Sequence, residues 1–514
     1  MAINKSKILK LALFATGLSG IVAEYIQSTL ATYFLGDSIF QWTMILSSML
    51  FAMGVGSRIS ARFKDQILEK FLWAEFSLSL LTSCAALTTY VAMGYSAYVA
   101  VFIYAFALLI GLLIGMEIPL VTRVNEENEE LRTNIAGVME NDYYGSLLGG
   151  IFFVFVGLPY LGLTYTPFVL GATNLSVALF LLWKTKKSIT PNHLKAFYVV
   201  IPSLIVLLSF LAINAEQIVL HGEQKRYGDK VIFSEQTRYQ KITITQYKEH
   251  YWLYLNGSKQ LSTFDEWLYH EPLVHPAMQL TKTPKNVLIL GAGDGCAIRE
   301  VVKYPEVEKV TLVDIDPEMT NIGKTNSIFI SMNDSAYYHQ KVEVINQDAF
   351  QYLEEEQQFF DVVILDFPDP KSIDLNRVYT KEFYQLCYNA LRPNGVIVTQ
   401  AVSPYYTAAA YKSIEKTVQA AGFNVLPIHN HVYSFGEWGW VIGSKKLSTE
   451  EMKSILTKSP FRNDIEVQWI NQESMQLMTS FGKELFIKDS VEVNTVHNPV
   501  LYRYYLDGAW AKYL

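Results

Sequence analysis

The chain has 514 residues, enough for two or three domains, and its 42 basic and 49 acidic residues leave a net charge of −7. No basic block marks a nucleic-acid surface. The three cysteines, Cys84, Cys296 and Cys387, have neither metal-type spacing nor the pattern of a disulfide framework.

Half of the residues are hydrophobic, but unevenly placed: apolar runs dominate 1–214, while 215–514 reads like a soluble protein. A membrane span needs about 20 mostly apolar residues. Seven stretches qualify, roughly 8–35, 39–57, 72–93, 97–121, 145–164, 166–183 and 197–214. The first is long for a removable signal and lacks a clear small-residue cleavage site. A buried helical core is the competing reading, and so many consecutive runs of span length argue against it. Lys5, Lys7 and Lys10, then Arg58, Arg62, Lys64 and Lys70, then Lys184, Lys186, Lys187 and Lys195 all fall on one side if the N-terminus is cytoplasmic. Seven crossings then put residue 215 outside; a re-entrant 145–164 is the alternative, and charge leaves both open. Glu24, Glu75, Glu117 and Asp142 lie in or beside these stretches, and an ionisable group in lipid is a functional candidate. Glu75 and Glu117 are expected near span ends, within reach of water, with a cationic ligand between helices as the other reading. "GLSG" (17–20) and "GSLLGG" (145–150) are expected to let helices pack closely.

In the second half, residues 229–256 alternate apolar and polar at period two and predict a small antiparallel sheet. A helix is expected from about Thr263, with Asp265 and Glu266 in its first turn. From 286, "NVLILGAGDG", "KVTLVDIDPEM", "VEVINQDAF", "FDVVILDFPDP" and "GVIVTQAV" read as strands alternating with helices, which implies a doubly wound parallel sheet. Ligands bind such sheets at the carboxyl ends of the strands. Those ends hold five acids: Asp294, Asp314, Asp348, Asp366 and Asp369.

Gly291, Gly293 and Gly295 allow a tight turn and close approach of a ligand. Asp314, about 20 residues on, suits a ribose diol, and Asp348 suits an adenine amino group. Asp294 would repel a pyrophosphate lying over the turn. Together these residues favour adenosine attached to a cation.

Three segments, "GAGDGCAIREVVKYPEVEKVTLVDIDPEM", "FDVVILDFPDP" and "YTKEFYQLCYNALRPNG", resemble the aminopropyltransferases, the spermidine synthase family. So do "YLNGSKQLSTFDEWLYHEPLVHPAM", "RYQKI" and "VYSFGEWGWVIGSK", and the resemblance covers roughly 218–445. The apolar half and the tail "VNTVHNPVLYRYYLDGAW" are similar to the family's membrane-bound bacterial branch. The fold implied is a multi-pass α-helical membrane domain (1–215), a small antiparallel β-domain with an entry helix (216–282), a Rossmann-like, class I methyltransferase-like α/β domain (283–445) and a C-terminal extension (446–514). The activity implied is transfer of an aminopropyl group from decarboxylated S-adenosylmethionine, a co-substrate, to putrescine, giving spermidine and methylthioadenosine. No cofactor and no metal is implied; the sulfonium is already a good leaving group. The expected surroundings are a lipid bilayer in the cell membrane; the face that bears the catalytic domain, and a homodimer, are left open.

By motif match the resemblance makes Asp366 the proton acceptor. It assigns Tyr269, Asp369, Tyr433 and Gln260 to the amine, and Gln240, His270, Asp294, Asp314 and Asp348 to the nucleoside donor. Gln400 is a weaker candidate. Three features depart from the family pattern: Phe367 and Pro368 stand where two small residues are usual, Asp314 stands where the longer Glu is usual, and "KSIDLNRVY" lacks the usual Gly-Pro-Ala. The changes after Asp366 fall at the acceptor end and bear on which amine is taken. A methyltransferase on the same fold is disfavoured because Asp294 would repel the methyl donor's carboxylate. A non-catalytic polyamine sensor or transporter is disfavoured because Asp366 is retained.

Overall fold

The structure is a computed structural model that describes residues 5–36, 38–95, 98–126, 129–482 and 491–508. The chain divides into two compact units, Met1–Gln246 and Tyr247–Leu514.

The first unit carries helices α1 (Lys5–Leu35), α2 (Ser38–Ser60), α3 (Ile67–Tyr95), α4 (Val99–Asn125), α5 (Leu131–Phe152), α6 (Gly162–Thr185), α7 (Pro191–Ile213) and α8 (Ala215–Arg226). Among the described residues, 6 helical runs are long and apolar enough to cross a bilayer. The fifth run, Leu131–Ser188, contains two of the seven expected stretches. It is not one straight rod. Gly145 packs against Phe14 O, and Asn174 Oδ1 accepts from Ser19 Oγ at 2.7 Å, so both reach one short segment of α1. A straight helix at ~1.5 Å per residue would hold Gly145 and Asn174 roughly 44 Å apart. The run therefore reverses, through a π-helical segment, Phe153–Leu161, with Pro159 inside it and Gly162 at φ +59° after it.

The small residues act as expected. A Cβ on Gly17 would strike Asp142 O, and one on Gly149 would lie 2.6 Å from Leu18 O, so α1 and α5 meet backbone to backbone. The expectation that Glu75 and Glu117 reach water is wrong. Both sit well inside their helices at 1% and 0% exposure, and Glu75 Oε2 and both Glu117 oxygens lack a hydrogen-bond partner. The cause is helix phase: Glu75 faces the Thr16 hydroxyl of α1, 3.4 Å from its Oε1. After α8, strands β1 (Lys230–Gln236) and β2 (Lys241–Tyr247) pair antiparallel.

The second unit opens with β3 (His250–Leu255) and β4 (Ser258–Ser262), an antiparallel pair, and α9 (Trp267–Leu280). The helix begins later than the expected Thr263. Asp265 and Glu266 lie in the turn before it, where both N–H groups donate to Ser262 O, and Glu266 is its N-cap residue. Asp265 accepts from Ser434 N at 2.6 Å and Ser434 Oγ at 2.9 Å; Glu266 reaches Arg299. Next come β5 (Asn286–Gly291), α10 (Cys296–Val302), β6 (Lys309–Asp314), β7 (Val342–Asn346), β8 (Phe360–Asp366), β9 (Leu391–Gln400), β10 (Asn424–Val432) and β11 (Gly436–Ser444).

These last seven strands form one sheet, ordered β10-β11-β9-β8-β5-β6-β7. Strands β5 to β9 run parallel, and β10 and β11 turn antiparallel at one edge. Parallel strands covered on both faces are expected to be apolar throughout. Val287 and Ile289 pack on one face with Val274 of α9 and Ile298 of α10; Leu288 and Leu290 pack on the other with Phe383 and Ile414. The arrangement is a Rossmann-type domain. The polypeptide after β11 stays attached to it: buried Glu271 accepts backbone N–H groups from Gln468, Trp469 and Ile470. The end of the expected tail motif, residues 509–510, lies outside the described residues.

Candidate active site

The carboxyl ends of β5, β6 and β8 are adjacent in the sheet, so their acids gather on one rim. Gly291 pairs with Asp366 across β5 and β8. Gly291 has φ +83°, and a Cβ there would collide with the Asp366 carbonyl, so only glycine lets the two strand ends stay together. At Gly293 a Cβ would lie 2.8 Å from Asp314 Oδ2. The turn is fixed from behind: Tyr337 donates to Gly293 O at 2.7 Å, and Asn333 donates to Asp294 O at 2.9 Å.

Asp366 Oδ1 accepts from the Tyr269 hydroxyl at 2.6 Å. Burial and the Asp294 charge push the Asp366 carboxyl up to about 6, against the opposing pull of His270 and the Tyr269 hydrogen bond. Tyr269 itself packs against His270, Trp438 and Trp440, with ring centroids 5.1, 6.4 and 5.4 Å away. An acid and an aromatic wall stand together, a pairing that suits an alkylammonium.

Asp294 accepts from Cys296 N at 2.8 Å and lies 3.7 Å from His270 Nε2. The other ring nitrogen, Nδ1, is 2.8 Å from Glu266 Oε2. Burial alone would lower the His270 pKa, but the Glu266 hydrogen bond and the Asp294 and Glu266 charges raise it to about 9. The imidazole is thus held towards its charged form, with Nδ1 bonded to Glu266 and Nε2 within ion-pair distance of Asp294. Glu266 is fixed in turn by Arg299 Nη1 at 2.7 Å and Nη2 at 3.0 Å. His270, Asp294 and Asp366 hold ligand-type atoms within 4.8 Å of one another.

Asp314, at the end of β6, accepts from Asp316 N at 2.8 Å. Burial, chiefly, with the Asp316 and Asp294 charges, pushes its carboxyl up to about 7. Asp348 sits past the end of β7, caps the helix Ala349–Glu355 through Phe350 N and Gln351 N, and pairs with Arg377 at 2.9 Å. Asp369 accepts from the Tyr505 hydroxyl at 2.7 Å. Gln400 donates to Phe367 O at 3.0 Å and bonds the Tyr379 hydroxyl, which meets Phe367 O and Pro368 O at 3.1 Å each. Both side chains thus brace the turn that carries Asp366 and Asp369.

The rim brings together Tyr269, His270, Asp294, Asp314 and Asp366, with Asp369 three residues beyond Asp366 on the same turn. Tyr433 is 60% exposed in the β10–β11 turn, with its ring near Phe264 and His431. Gln260 lies on β4 and donates to Ser258 O at 3.3 Å. Gln240 belongs to the first unit, where its N–H donates to Thr237 Oγ1 in the β1–β2 turn.

Sequence reasoning missed Glu266, Arg299, Trp438, Trp440 and Tyr505. Three of these carried a signal. Glu266 and His270 are spaced i, i+4, and two tryptophans in "GEWGW" alternate on one strand face.

A family model described as "Spermine/spermidine synthase domain" matches residues 266–454. A polyamine aminopropyltransferase of Oceanobacillus iheyensis is 38% identical across 100% of this chain and 99% of its own. Polyamine aminopropyltransferase 2 of Aquifex aeolicus is 40% identical, covering 97% of this chain and 98% of its own. A polyamine aminopropyltransferase of Leptospira interrogans is 36% identical over 96% and 97%. With such identity along its full length, and with the domain match falling on the acid rim, the chain belongs to the polyamine aminopropyltransferase (spermidine synthase) family.

Proposed function

We infer that the acid rim is where the aminopropyl group changes hands, and that Asp366 takes the proton. The chain is an aminopropyltransferase: it moves the aminopropyl group of decarboxylated S-adenosylmethionine to putrescine, producing spermidine and methylthioadenosine. The amine nitrogen attacks the carbon beside the sulfonium. The new C–N bond forms as the C–S bond breaks, and the bonding pair returns to sulfur as a neutral thioether. One proton leaves the attacking nitrogen.

That proton is the difficulty, because an alkyl amine has a pKa near 10 and is protonated at neutral pH. A carboxylate at its ordinary 3.8 is a poor acceptor for it. Raising Asp366 to about 6 narrows the gap by roughly 3 kcal/mol. The Asp366–Tyr269 pair beside Asp294 and His270 is the observation that carries this reading.

Asp294 attracts the ammonium arm of the decarboxylated donor and repels the carboxylate of the ordinary one. Asp314 receives the ribose diol, Asp348 the adenine edge, and His270 stands beside Asp294 at the donor. Tyr269 and Asp369 hold the amine, with Gln260 and Tyr433 further out. The 6 apolar helical runs support integral placement in a lipid bilayer.

The test incubates the full-length chain with putrescine and either donor, and follows methylthioadenosine and methylated product. Methylthioadenosine from the decarboxylated donor alone is expected. A methylated amine from the carboxylated donor would make the protein a methyltransferase. Alkaline extraction of membranes tests the bilayer placement: the chain is expected to stay in the pellet, and its release would refute it.

A further inference from the structure

The stretch 491–508 closes a strap across the acceptor end of the rim. Its clasp is Asn494, which is fully buried. The Asn494 N–H donates to Thr417 Oγ1 at 3.0 Å, and its carbonyl accepts from Lys381 N at 2.9 Å. Its Nδ2 donates to Tyr379 O at 3.0 Å and Asn376 O at 3.4 Å; its Oδ1 accepts from Val500 N at 3.1 Å and Leu501 N at 3.3 Å. Flanking bonds join Ser413 Oγ to Glu492 O (2.9 Å), Val496 N to Glu382 Oε2 (3.1 Å) and Tyr502 N to Asn376 Oδ1 (3.3 Å). Leu501 completes the attachment, fully buried in the core.

Asn376 and Tyr379 belong to "KSIDLNRVY", the segment that departs from the family pattern directly after the rim acids. The strap therefore grips the segment that shapes the acceptor end. From it the short helix Leu501–Leu506 presents Tyr505, whose hydroxyl donates to Asp369 Oδ2 at 2.7 Å. Burial and the Asp369 charge hold that hydroxyl far above its ordinary value, so it stays a donor. The cation of Lys371, 3.9 Å from Asp369 and 5.8 Å from the Tyr505 ring, is itself tied back to Ser258 Oγ at 2.6 Å.

We propose that Tyr505 is a positioning residue for the acceptor: through Asp369 it fixes the carboxylate that receives the distal ammonium, and its ring closes the far end so that a diamine fits and a longer polyamine does not. This rests on the aminopropyl-transfer reading. A hydrogen bond to a charged group is worth enough to change binding about tenfold. The hydroxyl and the ring make separate contributions, so two variants separate them.

The experiment uses the detergent-solubilised full chain and first establishes methylthioadenosine formation with putrescine by the parent. If the parent forms none with any diamine, the aminopropyl reading fails and this inference falls with it. Given an active parent, Tyr505→Phe is expected to raise the putrescine KM about tenfold while leaving the donor KM and the thermal midpoint unchanged. Tyr505→Ala and Asn494→Ala are expected to raise the putrescine KM likewise and also to let spermidine serve as acceptor, read as spermine formed, with a lowered thermal midpoint for Asn494→Ala because its buried bonds are lost. A putrescine KM within twofold of the parent for Tyr505→Phe overturns the inference. So does a parallel rise in the KM values of both substrates, which marks a general structural role.

Discussion

The two ends of the rim are built differently. The donor end, Asp294 and Asp314, is made from consecutive strand ends of one sheet, and each acid is held by a backbone N–H two residues on. The acceptor end, Asp366 and Asp369, is held by side chains from remote segments: Tyr269 of α9 and Tyr505 of the C-terminal strap. The first construction is local and stiff, so it suits a ligand part common to many enzymes of this fold. The second is assembled from parts that can be exchanged, so it suits a specificity that differs between relatives.

Three substitutions and one pH profile test this contrast, in descending order of effect. Asp366→Asn is expected to lower turnover by ~10²–10⁴-fold while donor binding survives. Single-turnover kinetics with donor titration measures both, and turnover at the parent rate would remove Asp366 as the base. Asp294→Asn is expected to cut the preference for the decarboxylated donor by roughly 10- to 100-fold, mainly by relieving repulsion of the carboxylated one. Competition binding reads that ratio, and an unchanged ratio breaks the donor-end account.

A pH profile comes third. The base works only when deprotonated, and its carboxyl is raised to about 6, so with the donor saturating, which keeps Asp314 (raised to about 7) out of the profile, kcat/KM for putrescine should fall about tenfold per unit below pH 6. An unperturbed carboxyl would place that fall near pH 4. Because His270 is raised to about 9, its charge should persist through this window and add no second inflection there. The smallest effect is expected from Tyr433→Phe. Its exposed hydroxyl should change amine kcat/KM less than about fivefold, and a larger loss would bring that turn into the acceptor end.

The same contrast explains what the sequence disclosed. "NVLILGAGDG" reads as strand and turn because apolar runs, glycines and a terminal acid are adjacent in the chain. The rim acids follow from it, since parallel strands put their carboxyl ends together. Tyr505 could not be read in this way. Its partner lies 136 residues away, and nothing in "LYRYYL" distinguishes its tyrosine from the neighbouring ones. Asp265 and Glu266 looked like first-turn helix acids by local rules, yet they lie in the turn before the helix, and their tertiary partners, Ser434 and Arg299, are far away in the chain. In the helical unit, hydropathy located the apolar runs but not helix phase. Glu75 and Glu117 were therefore expected near water, although they face the bundle interior.

The central claim is that this rim is a cation site tuned to one donor. Calorimetric titration of the full-length chain with decarboxylated and ordinary S-adenosylmethionine, at equal pH and salt, tests it most directly. At least tenfold tighter binding of the decarboxylated donor is predicted; equal affinity for the two would contradict the account.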